Sequence, residues 1–290
     1  MNRTGPFEVA CADGWTLRGE LRSPPAPKAV AVVGHAMMVD RRTLDRPREA
    51  GLVSRLASGG VAVVWPDLRG HGESGPRPEE GGDWSYDDLV EQDVPALVGF
   101  ARARFPGLPC FAIGHSLFGH VVLAHLARHP ELPLDGLVML AGNAPNPDWR
   151  KRPLSWLKKG ALIEAMHAFT LSLGRLPIRR LGLGTDDEPR GYIADFSRMW
   201  RLPDWRARDG FSYFAALGQV RTPILALTGA ADRLLAPPGD VRGLMSEVPH
   251  ATVEVVGKQS GLSFDPDHMG LVLDARARPV WDRVLAFVLR

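Results

Sequence analysis

Six short runs of β-branched and apolar residues, set between longer helical stretches, constrain this chain more than any other feature. They lie at 29–34 (AVAVVG), 61–65 (VAVVW), 110–113, 137–140 (LVML), 224–227 (ILAL) and 252–256 (TVEVV). Continuous runs of this kind belong to strands buried on both faces, which is the environment of a parallel sheet. Parallel neighbours need crossovers, and helical periodicity supplies them at 49–57, 86–105, 117–128 and 281–289. The first of these helices is stopped by Gly59-Gly60. The fold class implied is α/β, with a mainly parallel sheet flanked by helices. A chain of 290 residues fits one large domain or a domain with an insertion.

The alternation lapses between Gly142 and Thr222. That stretch holds Trp149, Trp156, Trp200 and Trp205, half of the eight tryptophans. Residues 143–218 carry 13 Lys and Arg against 8 Asp and Glu, whereas the whole chain is nearly neutral at +2. A structureless loop of this length is uncommon in a compact domain. We therefore expect a helical cap at 143–218, inserted into a core made of 1–142 and 219–290. Its aromatics read first as self-packing and second as ligand contacts. Its positive excess reads as a solvated surface ahead of any attraction for anionic substrates.

Several classes fall away. Net charge of +2 is too balanced for a nucleic-acid binder. No apolar run approaches the ~18 residues of a membrane span, and residues 1–6 lack a secretory apolar core. Cys11 and Cys110 are far apart with no CxxC, so both read as buried small hydrophobes of a cytoplasmic protein. No G-x-G-x-x-G follows the first strand, which removes a dinucleotide cofactor. His115 and His120 have the wrong spacing for paired helix ligands, so neither cofactor nor metal is expected. Nothing in the sequence bears on oligomeric state.

Chemistry concentrates at strand ends. The run 110–117 reads strand, sharp turn, helix, with Ser116 in the turn of Gly114-His115-Ser116. A serine so placed presents its hydroxyl at the carboxyl end of a sheet, and the N–H of Leu117 points the same way. Such a nucleophile needs a base, and the base an orienting acid. Asp232 follows the 224–227 strand and His268 follows the 252–256 strand, giving the order Ser…Asp…His. Asp148 is the competing acid and His250 the competing base. The second oxyanion donor should come from Gly34-His35-Ala36-Met37-Met38, with the Met37 N–H preferred to that of Ala36. His35, Met38, His115, Trp149 and Trp200 complete the candidate substrate-binding set, with His35 also shaping its turn and Met38 divided between pocket and core.

These pieces resemble the α/β-hydrolase superfamily over essentially the whole chain. The resemblance rests on His35, the run 67–74 (DLRGHGES), Gly114-His115-Ser116, Gly229-Ala230-Ala231-Asp232 and Asp267-His268. Residues 84–87 (WSYD) and 181–184 (LGLG) place it near the bacterial serine aminopeptidase and lysophospholipase-like hydrolases. The resemblance implies eight strands, a cap between strands six and seven, and a Ser116–His268–Asp232 triad. The implied activity is hydrolysis of a small or medium-sized ester, thioester or amide by way of an acyl-enzyme. An aspartate nucleophile, as in dehalogenases and epoxide hydrolases of this fold, is excluded by Ser116. One position departs: the family pattern Gly-x-Ser-x-Gly has Phe118 in place of its last glycine, followed by Gly119. Compensation by small neighbours such as Ala112 and Gly136 is expected, with the first helical turn displaced outward. Acyl transfer or cyclisation, or a catalytically impaired ligand-binding relative, are the alternatives this ring leaves open.

Overall fold

In the computed structural model, residues 4–144, 152–202 and 204–290 are described. The chain opens with an antiparallel hairpin, β1 (Gly5–Ala10) and β2 (Thr16–Arg22). Next come β3 (Ala29–Gly34), α1 (Leu52–Ser58) and β4 (Val61–Pro66). The long helix follows as α2 (Tyr86–Asp88), a wider π turn at Leu89–Asp93, and α3 (Val94–Arg104). Ser85 caps its start: its hydroxyl accepts from Asp88 N–H, and Asp88 accepts from Ser85 N–H at 2.7 Å. The π turn precedes Pro95, which has no N–H for the carbonyl of the previous turn. Then come β5 (Cys110–His115), α4 (Leu117–Arg128) and β6 (Gly136–Leu140).

After β6 the chain leaves the sheet. It forms α5 (Pro153–Leu173), β7 (Arg175–Leu176), α6 (Ile178–Leu181), β8 (Glu188–Pro189), α7 (Arg190–Arg201) and α8 (Tyr213–Ala216), with β7 and β8 paired as a small ribbon. It rejoins the sheet at β9 (Ile224–Gly229) and ends with α9 (Pro238–Met245), β10 (Ala251–Val256), α10 (Gly270–Leu273) and α11 (Arg278–Val288).

The eight-stranded sheet has the order β1-β2-β4-β3-β5-β6-β9-β10. Only β2 runs against the others, so the sheet is mostly parallel. Strands β3, β4, β5, β6 and β9 are buried at every residue, as their unbroken apolar runs require. β2 alternates half-buried and buried, because beyond it lies only the edge strand. Cys11 and Cys110 are free and buried, and burial raises their thiols to about 12 and about 11, which makes both poor nucleophiles. No helix among the described residues is long and apolar enough to cross a membrane.

Candidate active site

Three loops at the carboxyl edge of the sheet converge. Ser116 follows β5 directly and sits at φ 50°, ψ −107°, a backbone that L residues seldom adopt. It persists because both sides of the turn are held: Ser116 N–H donates to Leu140 O at 2.8 Å, and Ser116 O accepts from His120 N–H at 3.3 Å. The helix begins so close to β5 that a Cβ on Gly114 would lie 2.1 Å from the Gly119 nitrogen. Two glycines thus make the strand-to-helix contact, and the outward displacement expected of Phe118 is absent.

The Phe118 ring itself is buried, and what makes room for it is Gly34 at the end of β3. A Cβ there would stand 2.1 Å from the Phe118 Cγ. Gly136, expected as a small neighbour, instead faces Phe111 and Phe287. The extra volume is accommodated on the neighbouring strand, and the elbow keeps its shape.

Asp232 lies in the loop after β9 and His268 in the loop before α10. His268 Nδ1 is 2.7 Å from Asp232 Oδ2. Asp232 Oδ1 also accepts from the N–H groups of Leu235 (3.1 Å) and Leu234 (3.4 Å). Burial works to raise the carboxyl's pKa, yet the His268 hydrogen bond and charge, with backbone donors including Leu234, outweigh it and hold the group below its ordinary value. An ionised Asp232 fixes the proton on Nδ1, which leaves Nε2 of His268 as the basic nitrogen. Among the described residues no hydrogen bond joins Ser116 to His268; both line one cavity of about 320 Å³.

That cavity also takes in Met37, Met38 and Leu117. Leu117 is the first residue of α4, where an N–H has no intrahelical acceptor. The Met37 N–H likewise has no hydrogen-bond partner among the described residues. Met38 N–H differs: it donates to Glu188 Oε1 at 2.6 Å.

Other sequence candidates lie elsewhere. His35 is fully buried outside the cavity lining, with Nδ1 2.7 Å from Ala36 O and Nε2 accepting from Leu68 N–H at 2.9 Å. It ties the β3 loop to the β4 loop. His115 is also buried away from the lining, and its Nε2 meets the backbone carbonyl of His268 at 3.0 Å. Burial lowers both imidazoles to about 3, so each stays neutral. Trp200 stacks on Trp156 at 4.8 Å and presses on Gly160, so it joins α7 to α5 and does not reach the cavity. Trp149 and the competing acid Asp148 fall outside the described residues. His250 lies between α9 and β10 and does not line the cavity.

Sequence reasoning missed His120, Asn143, Lys159, Ile163, Met166 and Phe196, all of them in the lining. Lys159 had a legible signal, since positions 159, 163, 166 and 170 share one helical face. Elsewhere, Glu91, His125 and His129 bring ligand-type atoms within 4.8 Å of one another. Their own hydrogen bonds, His129 Nε2 to Glu91 and His125 Nδ1 to Val90 O, close that cluster.

Comparison with known proteins agrees with this fold. A family model described as serine aminopeptidase, S33, matches residues 29–176, roughly half of the chain. Monoacylglycerol lipase of Mycolicibacterium smegmatis is 35% identical over 104 residues, which cover 36% of this chain and only 34% of that protein. The esterase EaEST from Exiguobacterium antarcticum superposes with a TM-score of 0.63 at 16% identity, covering 98% of this chain and 99% of its own. Esterase RhEst1 from Rhodococcus sp. ECU1013 gives a TM-score of 0.63 at 18% identity, covering 99% and 98%. At such identities the likeness speaks for the fold alone. With the family model spanning the strands and the elbow that carry Ser116, the chain belongs to the serine aminopeptidase S33 family of α/β hydrolases.

Proposed function

We propose that this protein is a serine hydrolase that cleaves a small or medium-sized carboxylic ester by way of an acyl-enzyme. The observation that carries the reading is the His268–Asp232 pair, 2.7 Å apart, whose His268 shares a cavity with a serine on a strained strand-to-helix turn. In this reading Ser116 Oγ attacks the carbonyl carbon while its proton passes to His268 Nε2. The oxyanion takes the N–H groups of Met37 and Leu117. The carbonyl then re-forms, the C–O bond breaks, and the alcohol leaves with the proton from His268. Water repeats the sequence and releases the acid. The missing Ser116–His268 bond is compatible with this, because such contacts tighten with substrate bound. The ester preference is supported by the names of the lipase and esterases above, which describe enzymes acting on esters.

Residues 143–218 act, in this reading, as a cap on a core formed by 1–142 and 219–290. Support comes from Lys159, Leu162, Ile163, Met166, Leu183 and Phe196, which line the cavity beside Ser116. The test is direct. A fluorophosphonate probe labels the protein, and Ser116→Ala abolishes labelling and lowers p-nitrophenyl ester turnover by about a thousandfold or more. Unchanged turnover in that variant overturns the proposal.

A further inference from the structure

The cavity contains one side chain that ester hydrolysis does not require. Lys159, on α5, is buried and lines the space occupied by Ser116 and His268. Among the described lining residues there is no Asp or Glu. Among the described residues the only hydrogen bond of its ammonium is a long one, 3.4 Å to Ala144 O. Carboxylates exist nearby but are already engaged. Asp240 is held by Arg152 at 2.8 Å and Ser155 at 2.5 Å, and Asp232 by His268. Most of the remaining lining is apolar: Leu162, Ile163, Met166, Phe196 and Leu235 among others.

An ammonium taken out of water without a counter-charge is costly, and a chain does not keep one in an apolar pocket for packing, where Met or Leu would serve better. The cost is removed when a ligand brings the missing anion. Its neighbour His120 does not compete for that anion. It too lines the cavity, but burial lowers it to about 3 and its Nδ1 is 2.9 Å from the Tyr86 hydroxyl. Asn143, the remaining polar side chain in the lining, donates to Leu235 O at 3.3 Å. Among the described lining residues Lys159 is therefore the single Lys or Arg, in a cavity that otherwise selects for hydrocarbon.

We infer that Lys159 is the specificity-determining residue of this site, and that the preferred substrate is an ester with a carboxylate separated from the scissile carbonyl by an apolar segment. The inference rests on the hydrolase reading for the word ester, and on the cavity alone for the carboxylate. An ammonium on a flexible stem suits a carboxylate as a point charge. Leu162, Ile163, Met166 and Phe196 line the same cavity as Lys159 and Ser116, an apolar surround that suits a hydrocarbon spacer joining the two ends.

The experiment compares mono-p-nitrophenyl esters of straight-chain dicarboxylic acids of graded length with their ω-methyl esters, which are neutral. A second arm puts the carboxylate on the alcohol, using butyrate esters of hydroxybenzoates against those of the methylated hydroxybenzoates. In one arm the wild-type protein favours the carboxylate in kcat/KM, and Lys159→Met lowers that carboxylate-to-neutral ratio by about tenfold to a hundredfold, the range of a charge-assisted hydrogen bond. The arm that responds tells which side of the ester faces Lys159. Calorimetry with adipate, which needs no turnover, shows binding to the wild type and its loss in Lys159→Met. If Ser116 labels with fluorophosphonate but neither arm discriminates, or if the ratio is the same in Lys159→Met, the inference falls and the hydrolase reading stands. If the probe does not label and no ester is cleaved, the hydrolase reading falls. Adipate binding then decides, and equal or absent binding in both proteins overturns the role of Lys159.

Discussion

Replacing Gly34 by Ala tests how the elbow accommodates Phe118. The new methyl would lie 2.1 Å from the ring's Cγ, 2.3 Å from Cδ1 and 2.7 Å from Cβ. The ring has no easy retreat, since α4 is held to β5 by the Gly114–Gly119 contact behind it. Overpacking of a closed site of this kind costs about 1–3 kcal/mol. Phe118→Ala alone empties the space of a buried ring and costs about 3–5 kcal/mol. Independent effects would sum to roughly 4–8 kcal/mol, a large share of the total stability of a typical domain. The structure requires something else. With the ring gone, the Gly34 methyl no longer clashes and fills part of the void, returning about 0.8 kcal/mol per methylene-sized group. The double variant should therefore be no less stable than Phe118→Ala, with a coupling of about 1–3 kcal/mol. Urea unfolding of the four proteins measures this from the midpoints, provided the slopes stay equal. Additivity within about 0.5 kcal/mol would show that the two positions do not share space, and would refute the compensation argued here.

Further outcomes follow from the ionisable groups. His71, whose Nε2 is 3.1 Å from Glu188, is driven to about 9 because that carboxylate outweighs the cost of burial. Its folded pKa lies above the ordinary value of 6.5, so its stabilising contribution is complete below about pH 6.5 and lost as pH rises through 9. Glu188→Gln removes one partner of this buried pair and should cost about 3–5 kcal/mol at neutral pH, read from urea midpoints. His35, His115 and His120 run the other way, each lowered by burial to about 3. Their contribution is present above pH 6.5 and lost as pH falls from there toward 3, so Tm should drop steeply across that window. A Tm that is flat between those limits would count against neutral buried imidazoles. Burial lowers Lys159 to about 8, with Asp240, Asp232 and His120 as the ionisable groups acting on it among the described residues. The carboxylate-to-neutral ratio should consequently decline above pH 8, while a constant ratio to pH 9.5 would exclude Lys159 as the cation.

The sequence reveals whatever repeats on a regular period or sits at a strand end. Continuous apolar runs located β3, β4, β5, β6 and β9, because burial on both faces leaves no position free for a polar residue, whereas β10, at the sheet edge and mostly half-buried, showed through its β-branched residues and admits Thr252 and Glu254. The hairpin β1–β2 escaped individual placement, since half-buried strands such as Thr16–Arg22 admit Arg18, Glu20 and Arg22 on their open face. Ser116, Asp232 and His268 were legible because each follows a strand directly or by one loop. His35 and His115 were misjudged as substrate contacts for the same reason. They too stand at strand ends, but their rings turn inward to hold Leu68 N–H and His268 O. Proximity along the chain to a functional residue does not say which way a side chain points. Phe118 posed a comparable problem, because the glycine that houses it is on another strand, 84 positions earlier in the chain.

Glu188 shows why the remainder could not be read. In the run Thr185-Asp186-Asp187-Glu188 it resembles any acidic, solvated turn, yet it is wholly buried. Its carboxylate holds His71, from the loop after β4, and the Met38 N–H, from the loop after β3. The same short segment also satisfies the carbonyl of that residue: Thr185 and Asp186 N–H groups donate to Met38 O at 2.9 and 3.2 Å. Asp186 accepts from Gly72 N–H at 2.9 Å, and Thr185 Oγ1 from Asp40 N–H at 3.1 Å. Met38 has φ 64°, a left-handed conformation that a non-glycine residue keeps only when its surroundings impose it. Those surroundings are supplied from about 150 residues away. The loop presenting the Met37 N–H is thus shaped by a segment of the insertion as well as by β3. This coupling ties the two halves of the proposed site together. Changes in the 185–188 segment should alter the geometry of the loop proposed to bind the oxyanion without touching Ser116, His268 or Asp232, and so lower kcat while leaving the proposed nucleophile open to fluorophosphonate.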